Sequence, residues 1–262
     1  MRKKHFALPA ALCALALCSC SVKEDRMPCP AYIHPRCTDI PGEGNLLVTV
    51  KQDGGTVYQE IVSREVFEDP GYLIQVPRGM LDLAVTCGVE KMRLGSSDVL
   101  ATVRSSEADR LYSFVESFYV TAEQETLEGT LSKQHTLVFF NVLGNTDGCT
   151  LSVSGSWSGM NSFTMEGVRG TFSVEMDETM KEGSEYVFCI ARQGDCSLLL
   201  TLSSEGKDDR VVPLGELMLS AGYLIDNPVL ADVHVTVDFS AGLLSVRVGD
   251  WGETVNYDIV TI

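Results

Sequence analysis

The sequence predicts an all-β protein built as two antiparallel β-sandwiches in tandem, and three observations predict it. From Asn45 onward apolar and polar residues alternate with a period of two, which gives each strand one buried face and one wet face. The alternating runs are short and evenly spaced, with Gly, Asn, Asp and Ser between them. The segments 177–183 and 214–222 each have room for a helical turn or two, but neither sustains a 3.6-residue apolar stripe.

The elements follow in order. Leu46, Val48 and Val50 alternate with Leu47, Thr49 and Lys51, and Asp53-Gly54-Gly55 supplies a hairpin turn into a strand over 56–62. A charged loop leads to a strand at 72–76, which Pro77-Arg78-Gly79 turns into the run Leu81, Leu83, Val85 and Cys87. Strands at 98–104, 112–122 and 126–131 come next, with a short helical turn expected within 105–111. The polar run Ser132-Lys133-Gln134 marks a boundary, so one sandwich is expected over 45–131 and the other over 132–262. The second half reads as strands near 135–142, 149–155, 161–165, 171–176, 186–191, 197–202, 211–219, 233–239, 243–248 and 254–260.

Ahead of the sandwiches, Arg2, Lys3 and Lys4 precede an apolar run over 6–17 that is too short to span a bilayer, the layout of a secretory signal. Leu17-Cys18-Ser19-Cys20 fits the Leu-x-small-Cys box in which a thiol is lipidated before cleavage; Cys13 and Cys18 follow bulky leucines and fit poorly. Residues 1–19 are therefore expected to be a lipoprotein signal peptide, Cys20 the lipid attachment site, and 20–44 a lipidated tether. Each buried acyl methylene contributes about 0.8 kcal/mol, so two or three chains hold a domain firmly to a membrane. Lys23, Glu24 and Asp25 resemble the export signal that sends lipoproteins of Bacteroidetes-type bacteria to the outer face of the outer membrane.

An apolar fraction of 45% suits a folded chain. Without residues 1–19, 17 basic residues face 36 acidic ones, and a formal charge of −19 makes nucleic acid and anionic lipid poor partners. Six cysteines follow Cys20, an even number that permits disulfides in an exported chain. Cys29 and Cys37 bracket a Pro-rich stretch, and Cys189 and Cys196 flank Arg192-Gln193-Gly194-Asp195, which reads as a hairpin turn; these are the two local pairs. The alternative for Cys87, Cys149 and Cys189 is that they are small apolar residues on inner strand faces.

A search for chemistry finds no constellation. His34, His135 and His234 are isolated, and Gly155-Ser156-Trp157-Ser158-Gly159 has Trp where a nucleophile elbow requires Ser. No Cys-x-x-Cys, phosphate-cradling loop, calcium loop or His-Glu-x-x-His segment occurs, so no metal site, no enzyme activity and no cofactor beyond the covalent lipid are expected. Arg169, Arg210 and Arg247 have no evident anion to bind. Trp157 and Trp251 are the residues available to stack on a sugar ring, although Trp251 also suits closing the end of a sandwich core.

The opening Cys20-Ser21-Val22-Lys23-Glu24-Asp25-Arg26, followed by Cys29-Pro30, resembles the start of the FimB-like fimbrial anchor lipoproteins of Bacteroidetes-type bacteria. There a lipidated Cys precedes an acidic, Arg-containing run and usually Cys-Pro-Cys; here Cys29-Pro30-Ala31 departs from the pattern, with Cys37 left to take the missing role. Val76-Pro77-Arg78-Gly79 and the closing 246–251 segment extend the likeness. The resemblance implies two transthyretin-like sandwiches, lipid-anchored at the cell surface, in a non-enzymatic protein that caps the base of a fimbrial stalk and limits its length. Its implied partners are a stalk subunit, joined by addition of an extended strand to an open sheet, and the outer membrane, held through acyl chains. The strand at 254–262 is one of the edges that could pair. The alternatives are a glycan-binding surface lipoprotein and a tip or accessory fimbrial subunit, which would lose an N-terminal strand by proteolysis after a basic residue where an anchor keeps it.

Overall fold

The structure, a computed structural model, describes residues 29–42, 44–95, 98–102, 106–146, 148–176, 181–250 and 253–259. It is an all-β chain of tandem sandwiches, as the alternation predicts. In the first half, β2 (Asn45–Gln52), β3 (Gly55–Val62), β5 (Gly79–Val89), β8 (Tyr112–Val120) and the short β10 (Ser132–Lys133) form one sheet in the order β10-β8-β5-β2-β3. Asp53 and Gly54, both at positive φ (51° and 78°), make the two-residue turn of the β2–β3 hairpin, because that backbone matches the twist of the strands it joins. The facing sheet has the order β4-β1-β9, from β1 (Ala31–Thr38), β4 (Ile74–Val76) and β9 (Gln124–Thr130). Ile33, Val48, Leu83, Val85 and Val120 fill the space between them. A single helical turn, α1 (Arg64–Phe67), drops Phe67 into the same core.

β1 corrects the expectation that 20–44 is tether throughout. Ala31, Ile33, Pro35 and Cys37 alternate with Tyr32, His34, Arg36 and Thr38, a period of two that the prolines obscure. Pro35 lies beyond the three residues that β4 covers, where a strand tolerates the loss of an N–H.

The second half stacks β14 (Glu185–Ala191), β11 (His135–Leu143), β17 (Val233–Asp238), β18 (Leu243–Val248) and β19 (Thr254–Asp258), in that order, on a sheet of β13 (Gly167–Glu175), β12 (Thr150–Asn161), β15 (Leu199–Ser203) and β16 (Arg210–Val212). Phe140 and Phe188 meet edge-on in its core. Two expected strands resolve differently. The 211–219 run stops at Val212; Pro213 ends the strand and α2 (Leu214–Ser220) buries Leu214, Leu217 and Met218. The 161–165 run is a turn, where the Asn161 Oδ1 accepts from Phe163 N at 2.8 Å and Thr164 N at 3.0 Å. The helical turn expected within 105–111 does not form over 106–111.

The halves are joined by strand exchange as well as by sequence. β6 (Arg93–Leu94) and β7 (Val99–Ala101) leave the first half as a hairpin, and β7 pairs with the end of β12 at Val99–Asn161, Leu100–Met160 and Ala101–Gly159. The expected division at 131/132 is therefore crossed by an element on its N-terminal side. Leu47, Val89, Met92, Leu100, Leu111 and Met160 form a small core at this junction. Asp109 braces it, its carboxylate accepting from the backbone N–H of Glu90, Lys91 and Met92 at 2.7–2.9 Å. Lys51 pairs with Asp98 and lies 4.5 Å over the Phe163 ring.

Candidate functional site: the clamped N-terminal strand and the open sheet edges

β1 is the element that connects the sandwiches to everything N-terminal of them. It runs parallel to β9 over seven positions, Tyr32–Gln124 to Thr38–Thr130, and antiparallel to β4 over three. Two arginines hold its ends. At its start, the buried guanidinium of Arg78 donates from Nε to the Cys29 carbonyl (3.1 Å), and from Nη1 to the carbonyls of Ala122 (2.8 Å) and Thr121. One side chain thus ties the arriving chain to the β8–β9 turn. Charge-assisted bonds of this kind are about twice as strong as neutral ones. Gln52 Nε2 donates to the Arg78 carbonyl at 3.0 Å and fixes the turn that carries it. At the far end, Arg64 of α1 donates to the carbonyls of Ile40 (2.9 Å) and Gly42 (3.1 Å). Arg78 lies in the Val76-Pro77-Arg78-Gly79 segment that the sequence singles out; its partners, 43 to 49 residues distant, give no local signal.

The loop that leaves β1, Asp39-Ile40-Pro41-Gly42-Glu43-Gly44, contains no Lys or Arg. Arg36 lies within the β1–β9 ladder. No basic residue is therefore presented between the end of β1 and the start of β2.

Several strands have a free edge on which an extended segment can pair. Among the described residues β19 is bonded to β18 alone, with Val255 and Tyr257 turned toward the core and Thr254, Asn256 and Asp258 outward. Across the sandwich from it runs β16, the edge of the facing sheet, and Arg210 Nη2 bridges the two by donating to the Asp258 carbonyl at 3.3 Å. Beside this bridge opens a cavity of about 530 Å³ of mixed lining, with Leu202, Phe239 and Ile259 beside Thr146, Lys207 and Asp208. Such an edge next to a recess of mixed polarity offers backbone hydrogen bonds and a place for alternate side chains.

The other predicted residues are dispersed. Cys20, Lys23, Glu24, Asp25 and Trp251 lie outside the described residues. All six described cysteines are free thiols, so neither expected pair is bridged. Cys29 and Cys37 sit at opposite ends of an extended strand; Ala31 and Cys37 alone are about 20 Å apart at 3.3 Å per residue, far beyond disulfide reach. Cys189 and Cys196 do not flank a hairpin, because β14 and β15 belong to different sheets. Cys189 faces the junction, 3.7 Å from the Asp109 carbonyl, with burial raising its thiol to about 12, while Cys196 is exposed. Cys87 and Cys149 are core residues.

His135 is buried at the junction, its Nδ1 3.0 Å from the Leu111 carbonyl, so that nitrogen carries the proton. Burial depresses the imidazole to about 4. His234 stacks on Phe139. Trp157 sits in a double bulge of β12 and is already occupied: Arg169 lies 5.1 Å from its ring centroid, and a Cβ added at Gly194 would approach its Cζ2 to 2.6 Å. It lines a cavity of about 490 Å³ with Gln134, Arg192 and Ile225, but the Arg192 guanidinium is engaged with Gln134 and the carbonyls of Ile225 and Asn227.

No protein-family model and no curated protein matches this chain. Solved structures do share its fold. A protein from Bacteroides thetaiotaomicron described as a polysaccharide-binding candidate superposes with a TM-score of 0.62 at 11% identity, over 87% of this chain and 98% of that one. A candidate adhesin from Bacteroides ovatus gives 0.59 at 13% identity, over 90% and 97%. The fimbrial anchor protein Mfa2 from Porphyromonas gingivalis gives 0.59 at 10% identity, over 85% and 98%.

Proposed function

We propose that this chain is a surface adhesion protein of the fimbrial kind, lipidated at Cys20, held on the outer face of the outer membrane, and placed at the base of a fimbria. The observation that carries the base position is the seated N-terminal strand followed by a loop without Lys or Arg. A subunit whose N-terminal strand is removed after a basic residue needs such a residue exposed beyond that strand, and loop 39–44 offers none. Cutting at Arg26 would leave β1 in place. The fold shared with a fimbrial anchor protein and a candidate adhesin supports the same reading. A stalk subunit would join by strand addition at an open edge, for which β19, with a recess of about 530 Å³ beside it, is the best suited.

The alternative of glycan stacking on Trp157 has less support, since Arg169 and Gly194 already cover that ring. The test is the intact mass and N-terminal peptide of membrane-extracted protein, read together with what co-purifies. An acylated Cys20, an uncut β1 and a fimbrial subunit in the extract are expected. A chain lacking residues 29–38, or an acylated chain that never carries a fimbrial subunit, would overturn the base position.

A further inference from the structure

Four of the six described thiols are accounted for: Cys29 and Cys196 are exposed, Cys149 is packed in the second core, and Cys189 faces the junction. Cys37 and Cys87 differ. They belong to opposite sheets of the first sandwich, and both are in contact with one apolar cluster, Cys87 within it and Cys37 packed against it. Cys37 is the last inward residue of β1, and Cys87 ends the inward series Leu81, Leu83, Val85 of β5. The Cys87 thiol donates to the Pro41 carbonyl (3.5 Å) in the loop that carries the chain from β1 to the sheet of β5, which brings both residues to one end of the sandwich. Cys87 also acts on Cys37 electrostatically: burial first, and then the neighbouring Cys87, push Cys37 up to about 12.

We infer that Cys37 and Cys87 form a cross-sheet disulfide when the chain folds in the presence of a disulfide oxidant. A thiolate of the pair attacks the oxidant's disulfide, giving a mixed disulfide and releasing one thiol; the second cysteine, as thiolate, then displaces the other thiol. The protein loses two hydrogens and the oxidant is reduced to two thiols. Because burial suppresses both thiolates, the exchange belongs to the folding chain, before the sandwich closes. The bond closes residues 38–86 into a loop, so that tension carried by the backbone as far as Cys37 passes directly to β5 and bypasses the covalent path through residues 38–86. That mechanical role rests on the membrane-anchor reading; the bond itself requires only an oxidising compartment.

The experiment takes full-length protein from membranes, denatures it without reductant, alkylates it with N-ethylmaleimide and maps the peptides. Expected are a linked pair of peptides containing Cys37 and Cys87, label on both only after reduction, and direct label on Cys29, Cys149, Cys189 and Cys196. A Cys37→Ser variant should lose the link and melt lower than the parent in non-reducing buffer but not in reductant. Direct labelling of both Cys37 and Cys87 in the parent, which needs no variant to fold, would overturn the inference, as would a link from either to another cysteine. The N-terminal peptide of the same digest reports the lipid on Cys20, so failure of the anchor reading and failure of the disulfide are seen separately.

Discussion

Arg78 ties the start of the N-terminal strand to the β8–β9 turn. Replacing it by Ala leaves the carbonyls of Cys29, Thr121 and Ala122 without their charged donor. We expect a loss of about 3 kcal/mol in urea denaturation, at the upper end for bonds to a charged group, and earlier proteolysis between residues 29 and 38. Lysine should recover only part of it, since an ammonium cannot span three carbonyls as a planar guanidinium does. His135 makes stability fall as pH drops. The unfolded imidazole takes its proton near 6.5 and the folded one near 4, so the stability gained by keeping it neutral is whole above 6.5, declines between 6.5 and 4, and is gone below. Melting temperature followed across that window should fall more for the parent than for His135→Gln, which keeps a donor toward Leu111 and does not titrate. Neither role is legible in the sequence. A lone His and a lone Arg carry no periodic signal, and the carbonyls they serve come from distant strands.

At the scale of elements, alternation was sufficient where one face of a strand is buried and the other more open, as in β11, β17 and β18, and it also found β2 and β5, whose second face is buried at Leu47, Thr49, Ala84 and Thr86. It failed where turn chemistry intervened, at Pro213 and Asn161, and where the proline in β1 disguised a strand as a tether. β12 is longer than its alternation suggests because Gly155, Trp157 and Gly159 mark bulges against β13. Gly159 also admits β7: a Cβ there would stand 2.7 Å from the Leu100 carbonyl. Gly159→Val should therefore push β7 off β12, cost about 1–3 kcal/mol, and raise amide exchange at residues 99–101 while leaving β2 and β5 protected.

For the whole molecule, the direction of loading matters. Tension on residue 29 pulls β1 along its own axis against the parallel β9, so that the seven paired positions resist together in shear instead of opening one at a time. Single-molecule pulling from the N-terminus should meet a higher first rupture force than pulling apart a pair of loops across the same sheet. If β19 receives a partner strand, a photo-crosslinking residue at Asn256 should capture a fimbrial subunit in intact cells, while the same residue at Thr56 of β3 should not.

The β6–β7 hairpin has a further consequence, in the order of folding. One edge of β7 pairs with β6 and the other with residues 159–161 of β12, so when the first half has been made its hairpin has no sheet to join, and Leu47, Met92 and Leu100 remain open to water until β12 arrives. A fragment that stops at residue 131 should accordingly aggregate or recruit a chaperone, and the rate at which the complete chain matures should be set by this late, long-range pairing.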